Sequence, residues 1–436
     1  MSLKLGSDIA VMIFESATLF SLAAFAFPSN FKDISEDTLA ELTELAARIS
    51  RESEVKLDST KRALNSDAQR IDTTGDHAYI APGPNDIRGP CPGLNTLANH
   101  GYISRTGVDS VVAVTAASTA VFGMGVDLSA FLSVYSGVMA GDVTSFSIGG
   151  KPKTGGLLSG LTSSLGLLGE PQGLSASHNR FECDASPTRM DLYKTGDAVS
   201  VNVPRFEKLA AMPKGPNGYD ITVMSKWRGA CFNDSISTNG HFFTGPFTHL
   251  AVNAAAHAFV YRFFGNWSAD GPYLDLETLK SFYGVTGEPG SFQWQQGRER
   301  IPDNWHRRPI GDEYTLVSLN LDAVYAITTE PQIIAIGGNT GEPNTFTGVD
   351  LVNLTGGVFD AATLLEGNNL ACFAYQVASI GAPDILRGGL VGTLLGTALS
   401  KLADALSPIL ANFNCPELIK YDKSLLEAFP GAGSGL

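Results

Sequence analysis

The sequence predicts a mainly α-helical protein, one helical domain with a small β-element, on three observations. The first is the run Val111 to Met139, almost uncharged and built of Ala, Val, Leu, Phe and Ser. It is too polar to lie in a membrane and reads as buried helices broken near Gly123. The second is the scarcity of alternating runs; the best strand candidate is Thr315-Leu-Val-Ser-Leu-Asn-Leu321. The third is composition: of 436 residues, 44% are hydrophobic and only 17% charged. Charge this sparse leaves helices packed on one another and excludes a disordered or fibrous chain. The net charge of −14 removes any general attraction for phosphate backbones. Nucleic acid and anionic membranes are therefore not the expected partners.

In chain order, residues 1–27 read as a signal peptide. Ile9 to Phe27 are nearly all apolar or small, Lys4 precedes them, and Ala24-Phe25-Ala26 forms a small-x-small cleavage pattern. Asp8 borders that region and Glu15 interrupts it, and a buried N-terminal helix is the alternative. Residues 28–79 form an N-terminal helical arm, charged from Asp33 to about Ala68, with Leu39, Leu42, Leu45, Ala46 and Ile49 at helical spacing. The turn-rich stretch Ala81-Pro-Gly-Pro-Asn-Asp86 ends it, and residues 80–436 have the composition of a compact core. Within them, Gly149 to Gly173 reads as an irregular loop, Ala251 to Phe264 as a buried helix, and Leu386 to Phe413 as an amphipathic closing helix. No further segment has the ~18 uninterrupted apolar residues of a membrane span, so a soluble mature chain is expected.

Five cysteines occur, at 91, 183, 231, 372 and 415, and an odd count in a secreted chain asks for one thiol with a separate task. Sequons at Asn233, Asn266 and Asn353 agree with a secretory route.

The most informative stretch is Asp86-Ile-Arg-Gly-Pro-Cys91-Pro-Gly-Leu-Asn-Thr-Leu-Ala-Asn-His-Gly-Tyr102. Pro92 suits a first helical turn and Gly101 a helix stop, which puts Cys91 at an N-cap. There the amides of Gly93 and Leu94 and the helix dipole lower a thiol pKa. A thiolate leaving a helix start is either a nucleophile or a metal ligand.

Read as a whole, Arg88-Gly-Pro-Cys-Pro-Gly-Leu-Asn-Thr-Leu-Ala-Asn-His-Gly-Tyr resembles the signature of the fungal haem-thiolate peroxidases, the family of chloroperoxidase and the unspecific peroxygenases. The resemblance implies that Cys91 is the proximal ligand of haem b, its thiolate favouring O–O cleavage. A second match, Phe181-Glu182-Cys-Asp-Ala-Ser186-Pro-Thr-Arg189, is similar to the family's Mg²⁺ loop. It implies a divalent cation held against a haem propionate by Glu182, the Cys183 carbonyl and Ser186. Glu182, Asp184 and Ser186 also place hard oxygens at alternate positions. Further agreement lies in Ser147-Ile-Gly-Gly150, Arg228, Asp234 to Asn239 and Leu274 to Phe282. The family also implies a Cys372–Cys415 disulfide, and Phe131 and Phe181 along the haem access channel. Cys183 and Cys231 are left free or paired.

The resemblance breaks at the distal side. Ungapped counting from Asn239, and back from Gly271, puts the family's distal arginine and glutamate on Thr248 and Ala255. Neither can move a proton. On a regular helix the remaining face is Thr248, Ala251, Ala255, Ala258 and Phe259, roomy and apolar as a substrate pocket requires. Either His249 or His257, both nearby, is an open substitute for the distal acid, although helical geometry points both off that face.

The expected function is oxidation or oxygenation of a small apolar or aromatic organic substrate by hydrogen peroxide. The missing acid keeps two rivals open: a haem-thiolate isomerase, dehydratase or cyclase working without peroxide, and a haem-binding paralogue without turnover.

Overall fold

A computed structural model describes residues 66–142, 144–152, 171–386, 414–418 and 420–433. The leader, most of the arm and the expected helix from Leu386 to Phe413 lie outside these residues, as does most of the Gly149 to Gly173 loop.

The described chain is built of helices whose ends are written in the sequence. Helix α1 (Pro92–Asn99) starts at Cys91 and stops before Gly101, whose φ of +68° only glycine adopts freely. Ser110 caps α2 (Val111–Phe122) by accepting from the Ala113 amide, and Gly123 at φ +67° ends it, where the sequence places the break. Helix α3 (Val126–Ala140) follows and packs on α2. Asn202 caps α4 (Val203–Ala210), Asp220 caps α5 (Ile221–Thr238) and Asp275 caps α7 (Leu276–Tyr283). Between them, a π-helical segment, Thr248–Asn253, runs into α6 (Ala254–Phe264). Helices α8 (Leu316–Thr329) and α9 (Asn369–Leu386) complete the body, α8 packing on both α5 and α6.

The expected strand at 315–321 is a helix. The Thr315 hydroxyl accepts from the Ser318 amide as an N-cap. Leu316, Leu319, Ala323 and Ile327 are buried at spacings of three and four, and that period outranks the short alternation. The β-structure is instead made of pairs of two or three residues, such as Val108–Ser110 with Ser145–Ser147 and Phe243–Thr244 with Gly337–Gly338. Residues 69–79, placed in the arm by composition, bond to the helical body. Gln69 exchanges bonds with Arg307, the Tyr102 hydroxyl donates to Asp72, and His77 stacks on Tyr102 at 3.8 Å.

Cys372 and Cys415 form a disulfide with Cα atoms 5.4 Å apart, tying α9 to the C-terminal segment. Cys183 and Cys231 are free and buried. Among the described residues no helix is long and apolar enough to cross a membrane.

Candidate active site

One cavity lies between α1, α3, α6 and the loop 181–189. Its wall is overwhelmingly apolar, and Cys91 borders it.

The loop bearing Cys91 is held by a buried polar frame. The side-chain amide of Asn95 accepts from the Gly89 amide and donates to the Gly89 carbonyl, each at 2.9 Å, and donates again to Glu299 Oε1. Asn99 donates to the carbonyls of Gly297 and Glu299 and accepts from Arg88 Nε. His100 accepts from the Ile301 amide at Nε2 and so donates through Nδ1 to the His77 carbonyl; it is a neutral framework residue, held below its ordinary pKa by burial. Gly89 is required by close approach, because a Cβ there would run into the Ile148 carbonyl. The converse close approach calls for glycine in Ser147-Ile-Gly-Gly150, because a Cβ at Gly149 would run into the Arg88 carbonyl.

The helix start does not by itself lower the Cys91 pKa. Burial is the dominant influence and pushes the thiol up, against the opposing pull of the Leu94 amide, the Arg189 guanidinium and the Gly93 amide. A thiolate here needs a bonded cation, which favours a metal ligand over a free nucleophile. Two further observations suit an anionic, metal-bearing macrocycle. Arg189 is buried at the cavity with Nε and Nη2 lacking hydrogen-bond partners, and Glu299 is its nearest carboxylate at 3.8 Å. Around them the lining is apolar, from Pro92, Phe122 and Leu94 to Phe263 and Phe264.

The four residues of the expected Mg²⁺ loop divide. Glu182, Cys183 and Ser186 border the cavity. Asp184 does not: its carboxylate turns toward Asn239 and the Phe243 amide, at 3.4 Å each. Glu182 Oε2 is engaged by His178 Nδ1 at 2.6 Å, Oε1 has no partner, and the Ser186 hydroxyl donates to the Cys183 carbonyl at 3.0 Å. Among the described residues no three His, Cys, Asp or Glu side chains are grouped to hold a metal. The loop is braced from behind by Asn253, which donates to the carbonyls of Asp184 and Ala185 and accepts from Arg228 Nε.

On the other wall, Ala251, Ala255 and Phe259 line the cavity together with Val252 and Ala256. Thr248 and Ala258 are buried but do not border it. Thr248 is misplaced by a regular-helix projection because the Thr248–Asn253 segment is π-helical, with more residues per turn than the assumed 3.6. Ala258 sits on the row beside the two that face inward. His249 and His257 are also absent from the wall. His249 Nε2 lies 2.7 Å from the Ile333 carbonyl, and burial holds the ring well below its ordinary pKa. His257 Nδ1 meets the Asn253 carbonyl at 2.9 Å, and burial lowers its pKa to about 3. Phe131 and Phe181 both line the cavity; Phe131 meets Tyr375 edge-on at 4.7 Å and Phe247 at 6.1 Å.

Sequence reasoning missed Glu299 and the role of Arg189. Arg189 closed the second motif and was within reach; Glu299 stands in no pattern around it.

A profile described as "Peroxidase, family 2" matches residues 77–310. The dothistromin biosynthesis peroxidase of Dothistroma septosporum is 43% identical over 399 residues, 90% of this chain and 94% of its own length. The aromatic peroxidase of Fusarium equiseti is 37% identical over 427 residues, 94% of this chain and 95% of its own. An aromatic peroxygenase of Cyclocybe aegerita is 30% identical over 287 residues, 65% of this chain and 69% of its own. A profile match over more than half the chain, and two relatives aligned over at least nine-tenths of it, place this enzyme in peroxidase family 2, the fungal haem-thiolate peroxidases.

Proposed function

We propose that this peroxidase transfers oxygen from hydrogen peroxide to a small aromatic or apolar substrate that enters past Phe131 and Phe181. Membership of the family makes it a peroxide-using oxidoreductase with a haem cofactor. When bound, haem supplies the redox chemistry, one peroxide oxygen passing to the substrate and the other leaving as water. Cys91 would hold the iron, and Arg189, with two nitrogens that make no hydrogen bond at the cavity, would hold an anionic edge of the macrocycle. The Asn95–Glu299 frame fixes the cysteine loop, and the apolar wall excludes water and binds the substrate by burial.

The observation that carries the substrate class is the lining: Phe131, Phe181, Phe247, Phe259 and Phe263 face one space. Two relatives carry the names "dothistromin biosynthesis peroxidase" and "aromatic peroxidase", which supports an aromatic biosynthetic intermediate as substrate. A divalent cation at Glu182, the Cys183 carbonyl and Ser186 belongs to this reading, supported by the unpartnered, buried Glu182 Oε1. Secretion and glycosylation belong to it too, supported by the exposure of Asn233, Asn266 and Asn353. A second reading, haem chemistry without peroxide, is favoured by one observation: apart from Glu182, no described Asp, Glu or His borders the cavity.

The test is incubation of haem-loaded protein and a polycyclic aromatic probe with ¹⁸O-labelled hydrogen peroxide. Labelled oxygen in the product supports the proposal. Product formed equally without peroxide supports the second reading, and no product under either condition overturns both.

A further inference from the structure

A second concavity lies on the opposite faces of α2 and α3 from the cavity wall. Its floor is small, with Ala116, Ala120 and Ala130, and its rim carries Val112, Val126 and Ile310. Those three rim residues are 73%, 64% and 60% exposed. Val112, Ala116 and Ala120, spaced four apart, form an outward apolar stripe on α2, whose inward face of Val114, Ala117 and Val121 is already buried. Thr115, Thr119 and Glu313 also line the groove, and the exposed stripe Val112, Ala116 and Ala120 lacks a covering partner among the described residues.

We infer that this groove is the docking site of the chain's own N-terminal segment, residues 33–65. The described chain begins at the groove. Gln69 pairs with Arg307 through its backbone carbonyl and its side-chain amide, and Arg307 is itself a groove residue, donating to the carbonyls of Thr119 and Ala120 on α2. The segment that precedes Gln69 carries the complementary feature, the stripe Leu39, Leu42, Leu45, Ala46 and Ile49. Ile49 is 20 residues before Gln69, and an extended chain of that length spans up to ~70 Å, so reach does not restrict the docking. An amphipathic helix laid into a groove floored by alanines buries its own stripe and that of α2 together, the small floor allowing close approach.

The test uses the full chain and trypsin, for which the segment supplies Arg48, Arg51, Lys56, Lys61 and Arg62. Docking predicts cleavage there at least about tenfold slower than in a free peptide of residues 33–65. It also predicts that Val112→Lys with Val126→Lys restores the peptide rate, while Val352→Lys, at an exposed apolar position elsewhere, does not. Peptide-like cleavage of the unaltered chain, or protection that survives the double substitution, overturns the inference. A photo-crosslinker at position 112 is the second measurement, on mixed isotopically light and heavy chains. Crosslinks within one chain to residues 33–65 support docking in cis; mixed-isotope crosslinks show a second copy in the groove and overturn it, as does the absence of any crosslink to that segment.

Discussion

The side-chain amide of Asn95 donates to Glu299 Oε1 at 2.9 Å while closing both backbone bonds of Gly89, two residues before Cys91. The position of Cys91 thus depends on a buried carboxylate 204 residues beyond Asn95. Glu299 is also the ion-pair partner of buried Arg189. Glu299→Ala strands that charge, and removing one member of a buried pair costs about 3–5 kcal/mol. Chemical denaturation of the variant against the parent checks this; a loss under about 1 kcal/mol would show that the frame is not held by Glu299. Glu299→Gln, which can still accept from Asn95, should lose less.

His257 should make stability fall with acid. Its folded pKa is about 3, below the ~6.5 of an unfolded chain, so the unfolded state takes up the proton first. The stabilisation of the neutral ring is therefore full above about pH 6.5 and is lost as pH falls toward 3. Buried Glu182 and Glu299, whose pKa values burial raises, act in the opposite sense, so the histidine is isolated by difference. Relative to its value at pH 7, the stability of His257→Leu should gain on the parent by about 1.4 kcal/mol per pH unit below 6.5. Parallel stability curves between pH 7 and 5 contradict the assignment.

Ala255→Glu should raise peroxide-dependent oxygenation, since Ala255 borders the cavity and general acid-base assistance is typically worth about 10²–10⁴-fold. The parent rate should be nearly flat between pH 5 and 8. The variant's should climb with pH in that window, because burial raises the new carboxyl's pKa and only its ionised form accepts a proton. Thr248→Arg adds nothing to it, as Thr248 does not border the cavity. Steady-state rates across pH for the parent, Ala255→Glu and the double variant decide the point; an Ala255→Glu enzyme no faster than the parent contradicts it.

The helical class, the break at Gly123 and the capped start at Cys91 were legible because each is a local signal: a hydrophobic period, a left-handed glycine, a proline in a first turn. Residues 315–321 misled because seven residues of alternation also fit a helix with a threonine cap, and packing on α5 and α6 decided between them. The distal wall was half legible. Ala251, Ala255 and Phe259 follow from a 3.6-residue period, whereas Thr248 does not, because a π-turn leaves no mark in sequence alone. Glu299 was invisible for a different reason: its partners Asn95 and Arg189 are more than a hundred residues away, and only the fold brings a carboxylate to them.

The central claim is that Cys91 ligates haem iron, and the ferrous-CO absorption spectrum of the Cys91→Ala variant beside the parent tests it most directly. The parent should show the far-red-shifted Soret band of a thiolate ligand, and the variant should lose it. A parent spectrum like that of histidine-ligated haem proteins, or a thiolate band that survives in Cys91→Ala, would contradict the account.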